Sequence, residues 1–295
     1  MLQILAVIAP LFLIIFFSAL VQKYRRLGEE WSQVFNQYAL KVGLPVLIFT
    51  ALAQAPFSFG AETGLLVANS AFIIIVMLAG LIVGKVFMLS RKLLRTIFIC
   101  LAFGNVAYLG IPVLVQTGGE HVLPQVTLIV GVYLFWIFSL GIGFLEYSAA
   151  PKGKDALKKT LLGIVQNPLL LAVLFGLFFG GLGLGLPGVV RQTLEMITAS
   201  VTPTVLIVTG LFIGGSHLGR WKEWLPALFF SLVTLLLLPA IFYFGIKFCN
   251  MPPFWYSTSI IQAAMPLAIT PFALAERYGL DKNFIARSIV LSTVL

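Results

Sequence analysis

GNVAYLGIP at residues 104–112 and QAAMPLAITP at residues 262–271 are the stretches whose reading decides the fold. Each lies inside a long apolar run and carries residues that weaken a helix: Gly104, Gly110 and Pro112 in the first, Pro266 and Pro271 in the second. A proline in a helix interior removes an N–H donor and pushes its ring against the preceding turn, at a cost of about 3 kcal/mol. In hydrocarbon the freed backbone groups cannot turn to water, so such breaks persist only where they are packed in protein or line a cavity. Two interrupted helices therefore predict a cavity, provided that the runs around them cross a membrane.

Composition supplies that condition. Of 295 residues, 60% are hydrophobic and only 10% charged, with a mean hydropathy of +1.06. A soluble domain needs about 25% charged residues to cover its surface. Apolar runs of about 20 residues, enough to cross a bilayer core of about 30 Å, recur along the whole chain. Ten spans are expected: 2–21, 33–53, 63–88, 95–117, 123–147, 160–181, 191–214, 223–248, 254–275 and 282–295.

The net charge of +9 does not point to nucleic acid, because the basic residues sit in short clusters between apolar runs. All of the 19 lysines and arginines except Lys41, Arg191 and Lys247 fall in alternate loops. Positive charge accumulates in cytoplasmic loops facing anionic lipid, so both termini are expected outside, in a multi-pass protein of the cell's inner (plasma) membrane. The first run has no basic residue before it, and Lys23, Arg25 and Arg26 follow it. That order is the reverse of a cleavable signal peptide. Cys100 and Cys249, with His121 and His217, stand at unrelated spacings that suit neither a disulfide framework nor a metal site. No resident cofactor is expected.

The chain also repeats itself. VLIFTAL at 46–52 returns as VLIVTGL at 205–211, an offset of 159 residues with five of seven positions identical. The same offset carries the spans 2–21 and 63–88 onto apolar runs, and Pro112 onto Pro271. Two halves follow, 1–147 and 160–295, joined by a cytoplasmic loop at 148–159. Five helices per half is an odd number, so the second copy must run inverted through the membrane, as in duplicated secondary transporters. The offset maps the fifth span beyond residue 295, so the tenth helix is expected to be cut short.

Inversion makes the fourth and ninth helices antiparallel. Thr270 followed by Pro271 reads as an N-cap and a first helical residue, which would start a new half-helix. Ile111 and Pro112 hold the equivalent place in the fourth. Two half-helix N-termini, each with a partial positive charge and free N–H groups, would then attract an anion near the midplane without a lysine. Asn105 and Gln262 can add hydrogen bonds. Lys41 lies about 12 Å into the second span at 1.5 Å per residue, and fits either an anion ligand or a structural ion pair. The candidate substrate site thus comprises Lys41, Gly104, Asn105, Gly110, Ile111, Pro112, Gln262, Pro266, Thr270 and Pro271.

GLPVLIF at 43–49, GNVAYLGIPV at 104–113, QNPLLLAVLFGL at 166–177, TPTVLIVTGL at 202–211 and AMPLAITPFALAERYGLD at 264–281 together resemble the auxin efflux carrier family, which includes plant auxin carriers and bacterial malate or malonate permeases. The resemblance implies the fold of bile-acid symporters and sodium/proton antiporters, with helices 4 and 9 crossing in a mobile core of helices 3–5 and 8–10. Helices 1, 2, 6 and 7 would form a scaffold, through which two copies dimerise, and the core would move like an elevator. On this resemblance Asn105, Pro112 and Pro271 match the crossover residues. The plant carriers' long central loop is absent, as in a bacterial-type member.

The expected function is secondary transport of a small organic anion, a dicarboxylate or an auxin-like acid, with the coupling ion, proton or sodium, left open. An inorganic ion exchanger lacks support from a mid-span carboxylate pair. A non-transporting receptor is the other alternative. No HExxH or GxSxG arrangement is present, which argues against an enzyme.

Overall fold

The computed structural model describes residues 2–25, 27–54, 59–149, 166, 168–215, 221–251 and 256–295. Most of the expected loop at 148–159, the first residues of the expected sixth span, and His217 lie outside the described residues. Among the described residues all regular structure is helical apart from one antiparallel bridge pair, Gly104 with Leu267.

In chain order the helices are α1 (Leu2–Arg25), α2 (Glu29–Tyr38), α3 (Leu44–Ala53), α4 (Phe59–Val86), α5 (Arg91–Ala102), α6 (Ile111–Gly118), α7 (Leu123–Trp136) and α8 (Gly143–Ala149). After them come α9 (Pro168–Gly181), α10 (Gly188–Gly215), α11 (Leu225–Leu232), α12 (Leu238–Phe248), α13 (Ser257–Ala263), α14 (Thr270–Tyr278) and α15 (Lys282–Val294). Several of these join end to end. Five continuous helical stretches are long and apolar enough to cross a membrane: Glu30–Ala53, Thr63–Val86, Glu120–Leu145, Gly188–Gly215 and Leu225–Phe248. Shorter apolar helical stretches run over Ala9–Tyr24, Val106–Gly118 and Pro168–Gly181. The chain is thus an all-helical, multi-pass integral membrane protein. The fourth and ninth expected spans fall short because each is cut in two, into α5 with the run to Gly118, and into α13 with α14.

Three of the joins share one device. π turns at Ala39–Gly43, Val106–Gly110 and Val233–Leu237 lead directly into α3, α6 and α12, and each of these helices has proline, Pro45, Pro112 or Pro239, as its second residue. A π turn is wider than an α turn, and it displaces the carbonyl against which the proline ring would otherwise press. The helix therefore continues through the proline.

The helices gather into two compact units. The first contains Met1–Glu62, Ala107–Gly131 and Asn167–Ser216; the second contains Thr63–Val106, Val132–Gln166 and His217–Leu295.

In the first unit α1 packs along α10, and α3 packs against both α9 and α10. Backbones approach closely at glycines. On α10, Gly210 and Gly214 stand one turn apart, and a Cβ on either would overlap the backbone carbonyl of Ile15 or Ala19 on α1. On α9, a Cβ at Gly176 would fall 2.7 Å from the Leu52 Cβ of α3. Lipid tails compete with any apolar side chain, so small residues that maximise backbone contact are the usual means of joining helices in a membrane. The Tyr38 and Ser200 hydroxyls add a 2.6 Å hydrogen bond between α2 and α10.

In the second unit α11 packs against α15, with Phe230 edge-on to Phe284, and Arg287 of α15 pairs with Glu223. Asn69 of α4 donates through Nδ2 to the Ser259 hydroxyl of α13 at 2.8 Å. Asp281 caps α15 by accepting from the Phe284 amide at 3.1 Å, while its own N–H donates to the Thr96 hydroxyl of α5 at 2.9 Å. These bonds hold α5, α13 and α15 around the two breaks.

Candidate functional site

α5 ends at Ala102 and helix resumes at Val106, so the break in the fourth span is Phe103–Asn105. In the ninth span α13 ends at Ala263 and α14 begins at Thr270, leaving Ala264–Ile269 extended or bent. The two breaks bond to each other. The Asn105 amide donates to the Pro266 carbonyl at 2.6 Å, and the Ala268 amide donates to the Phe103 carbonyl at 2.9 Å. The Leu267 amide between them donates to the Ser292 hydroxyl of α15 at 3.0 Å. Each break thereby satisfies groups that lipid would leave unpaired. Pro266 suits its position because it offers a carbonyl and has no N–H to satisfy.

Two local expectations are corrected. Gly110, Ile111 and Pro112 do not interrupt the fourth span; they sit inside the continuous helical run from Val106 to Gly118, where the π turn ahead of Pro112 absorbs its ring. Thr270 is not an N-cap. It is the first residue of α14 and Pro271 the second, and Ile269 precedes them at φ −74°, ψ −25° without a side-chain cap bond. The near-helical backbone of Ile269 turns the chain into α14 one residue earlier than the threonine signal suggested.

Of the expected site residues, Gly104, Asn105, Gln262, Pro266, Thr270 and Pro271 belong to the second unit, while Lys41, Gly110, Ile111 and Pro112 belong to the first. Asn105 is 3% exposed, and its backbone amide is the donor to Pro266. Gln262, on the last turn of α13, is 1% exposed, and neither Oε1 nor Nε2 has a partner. An unpaired buried amide costs about 1–3 kcal/mol, so Gln262 beside the bridge marks a place prepared for something else. Thr270 is half-buried and Pro271 buried at the start of α14. Gly104 supplies no special room, since a Cβ there would make only ordinary contacts at 3.6 Å and beyond. In the first unit Lys41 is exposed on its π turn, with no ion pair among the described residues.

A small cavity of about 20 Å³ adjoins the bridge in the second unit, with Gly104, Tyr133, Thr234, Gln262, Met265 and Leu267 among the residues around it. The Tyr133 hydroxyl is buried and unpartnered. Sequence reasoning did not find Ser292 or Tyr133. Each is one hydroxyl residue among many in apolar runs, and only the fold brings it to the break.

Among known proteins, the chain matches the family model described as "Membrane transport protein" over residues 3–295. It is 26% identical over 279 residues to an "Uncharacterized transporter" of Methanothermobacter thermautotrophicus, covering 91% of this chain and 87% of that one. It is 21% identical over 303 residues to a "Putative malonate transporter" of Rhizobium meliloti, covering 100% and 93%. A "Probable auxin efflux carrier component 9" of Oryza sativa is 24% identical over 151 residues, covering 48% of this chain and 34% of the plant protein. With a match that runs from residue 3 to residue 295, this chain belongs to the membrane transport protein family of the auxin efflux carriers, a family of transporters and not of enzymes.

Proposed function

We propose that this protein is a secondary transporter that moves a small organic anion, a carboxylate or dicarboxylate, across the plasma membrane by alternating access. The observation that carries the reading is the bonded pair of helix breaks, Asn105 to Pro266 and Phe103 to Ala268, with the buried Asn105 side chain in one break and the buried, unpartnered amide of Gln262 just before the other. Helix restarts at Val106 and at Thr270, close after the bridge in each strand. Helix starts carry free N–H groups and a partial positive charge, which favour a carboxylate. The name of the malonate transporter relative supports a dicarboxylate as the first substrate to try.

The two inverted halves offset by 159 residues supply the symmetry that alternating access needs. α1 with α10, and α3 with α9, are the helix pairs that the offset exchanges, and both are joined through close-approach glycines. On this reading the first unit contains the scaffold helices and the homodimer contact, the second unit is the element that carries the anion in elevator fashion, helices 4 and 9 cross at the bridge, and both termini face outward.

Counterflow in proteoliposomes tests the proposal. Purified protein preloaded with unlabelled malonate is expected to accumulate labelled malonate, succinate or indole acetate. Asn105→Ala should bind the accepted anion about tenfold or more weakly, the worth of one hydrogen bond to a charged group. If no carboxylate exchanges, or if Asn105→Ala exchanges with unchanged affinity, the assignment fails.

A further inference from the structure

The turn that joins α4 to α5 is built against the preference of one of its own residues. The Phe87 amide donates to the Val83 carbonyl at 3.0 Å, that of Met88 to Lys85 at 3.1 Å and that of Leu89 to Gly84 at 2.9 Å. This helix ending puts Met88 in the left-handed region, at φ 48°. Glycine or asparagine normally fills such a position, because a bulkier side chain is strained there. The end of α12, in the span that the repeat pairs with α4, has the same turn built in the usual way. There the amides of Cys249, Asn250 and Met251 donate to the carbonyls of Gly245, Lys247 and Ile246, and the left-handed residue, at φ 54°, is Asn250. The first turn thus keeps methionine where the second has asparagine, and strain retained in this way marks a side chain with a use.

That side chain lies at the tip of an exposed, cationic surface. Met88 is 89% exposed, Phe87 70% and Val86 68%, and Lys85, Arg91 and Lys92 around them are exposed as well. Arg95, one turn beyond Arg91, is half-buried, and its Nη1 donates to the Tyr278 carbonyl at 3.3 Å. α4 and α5 hold these residues close together, since a Cβ at Gly84 would stand 3.0 Å from the Leu94 side chain. The sequence has no acidic residue between Glu62 and Glu120. Among the described residues the ion pairs are Arg191 with Glu195 and Arg287 with Glu223, which leave these four cations uncompensated. A small anion would use the cations and leave Val86, Phe87 and Met88 in water. The face of a bilayer uses both, phosphates for the cations and hydrocarbon for the apolar tip. From this union of uncompensated charge with a strained apolar tip, we propose that the α4–α5 turn is a binding site for anionic phospholipid. Headgroup phosphates sit on Lys85, Arg91 and Lys92, and the Phe87 and Met88 side chains enter the acyl region. The turn belongs to the second unit, so on the transport reading above lipid charge acts on the element that carries the anion. The lipid site itself does not depend on that reading.

The test is lipid binding by the purified protein in detergent, titrated with phosphatidylglycerol or with phosphatidylcholine of the same chains and read by mass spectrometry of the intact complex. The wild type is expected to bind phosphatidylglycerol about tenfold or more tightly than phosphatidylcholine, given the worth of each lysine or arginine beside anionic lipid. High salt, which screens charges at a surface, should remove most of that preference when the protein is equilibrated in it before transfer to the spectrometer. The combined variant Lys85→Gln, Arg91→Gln and Lys92→Gln should bring the ratio to about twofold or less. Met88→Gly relieves the left-handed strain, so it should keep its melting midpoint and yet bind phosphatidylglycerol about threefold more weakly, having lost an apolar contact. Should the combined variant fail to fold, Lys85→Gln and Lys92→Gln must each cut the ratio about threefold on their own. Equal affinity for the two lipids, a preference unchanged by the glutamine variants, binding unchanged in Met88→Gly, or displacement of the lipid by inorganic phosphate at the same concentration would overturn the inference. The four cations would then serve only to orient the chain in the membrane. Because no carboxylate substrate is present, that failure is separate from a failure of counterflow.

Discussion

The two compact units differ in where their helices are joined and opened. In the first, helices meet backbone to backbone at Gly176, Gly210 and Gly214, buried hydroxyls such as Thr204 and Thr209 bond back to their own helices, and the unpartnered buried atoms among the described residues are the single hydroxyls of Thr50 and Thr198. In the second, two helices are cut open, the cut ends are stitched to each other and to Ser292, and Asn69, Tyr133, Thr258, Gln262 and Ser288 keep buried polar atoms without partners. A membrane interior penalises unpaired polar groups heavily. Close apolar packing is thus what stability alone would select, and the open, under-satisfied arrangement is retained where a ligand can supply the missing partners. Substitutions in the first unit should act on stability, and those at the bridge on transport.

The largest effect is expected at Gly214. Its Cα faces the Ala19 carbonyl so closely that any side chain must force α1 and α10 apart, and overpacking of this kind costs about 1–3 kcal/mol or more. Gly214→Leu should lower the melting midpoint in detergent by about 5 °C or more and sharply reduce the folded yield. A Gly214→Leu protein that melted like the wild type would show that α1 and α10 can separate freely, and the first unit would lose its character as the tightly packed one.

Next in size is Ser292→Ala. Loss of the hydroxyl leaves the Leu267 amide buried without an acceptor, at about 1–3 kcal/mol, and loosens the strand that presents Pro266 to Asn105. Exchange of an accepted carboxylate should fall about tenfold, while Ser292→Thr, which keeps the acceptor, should restore most of it. If both variants lost stability in proportion to exchange, Ser292 would be a packing residue and the bridge would not be set apart from its surroundings.

Much of this contrast could be read in the sequence. The apolar runs gave the membrane class because hydrocarbon admits few charges, and Gly104, Pro266 and Pro271 marked spans that could not remain single helices. The position of the first break was misjudged. Pro112 looked like the breaker, whereas a π turn over Val106–Gly110 lets the helix run through it and places the break at Phe103–Asn105. Proline signals a disturbed hydrogen-bond ladder but does not say whether a wider turn or a true interruption relieves it. Gln262 and Asn105 were legible as polar residues beside weakened helix. Ser292 and Tyr133 were not, because the identity of their neighbours depends on tertiary packing that local composition does not encode.

The smallest expected effect compares one inter-helix hydrogen bond from each unit. Tyr38→Phe removes the bond to Ser200, whose hydroxyl still donates to the Ile197 carbonyl at 2.7 Å; a cross-helix bond in a membrane protein averages about 0.6 kcal/mol, so the melting midpoint should fall by only about 1–2 °C with exchange unchanged. Asn69→Leu breaks the bond to Ser259 on α13, the helix that ends in Gln262, and also removes the buried, unpartnered Oδ1 of Asn69. Those two terms oppose each other in stability, so the midpoint should move by less than about 2 °C. Exchange should nevertheless fall about threefold, because α13 loses the anchor that fixes its register against α4. Equal, negligible effects on exchange from both substitutions would mean that the second unit is no more sensitive to its polar contacts than the first, and that the division of labour rests on the bridge alone.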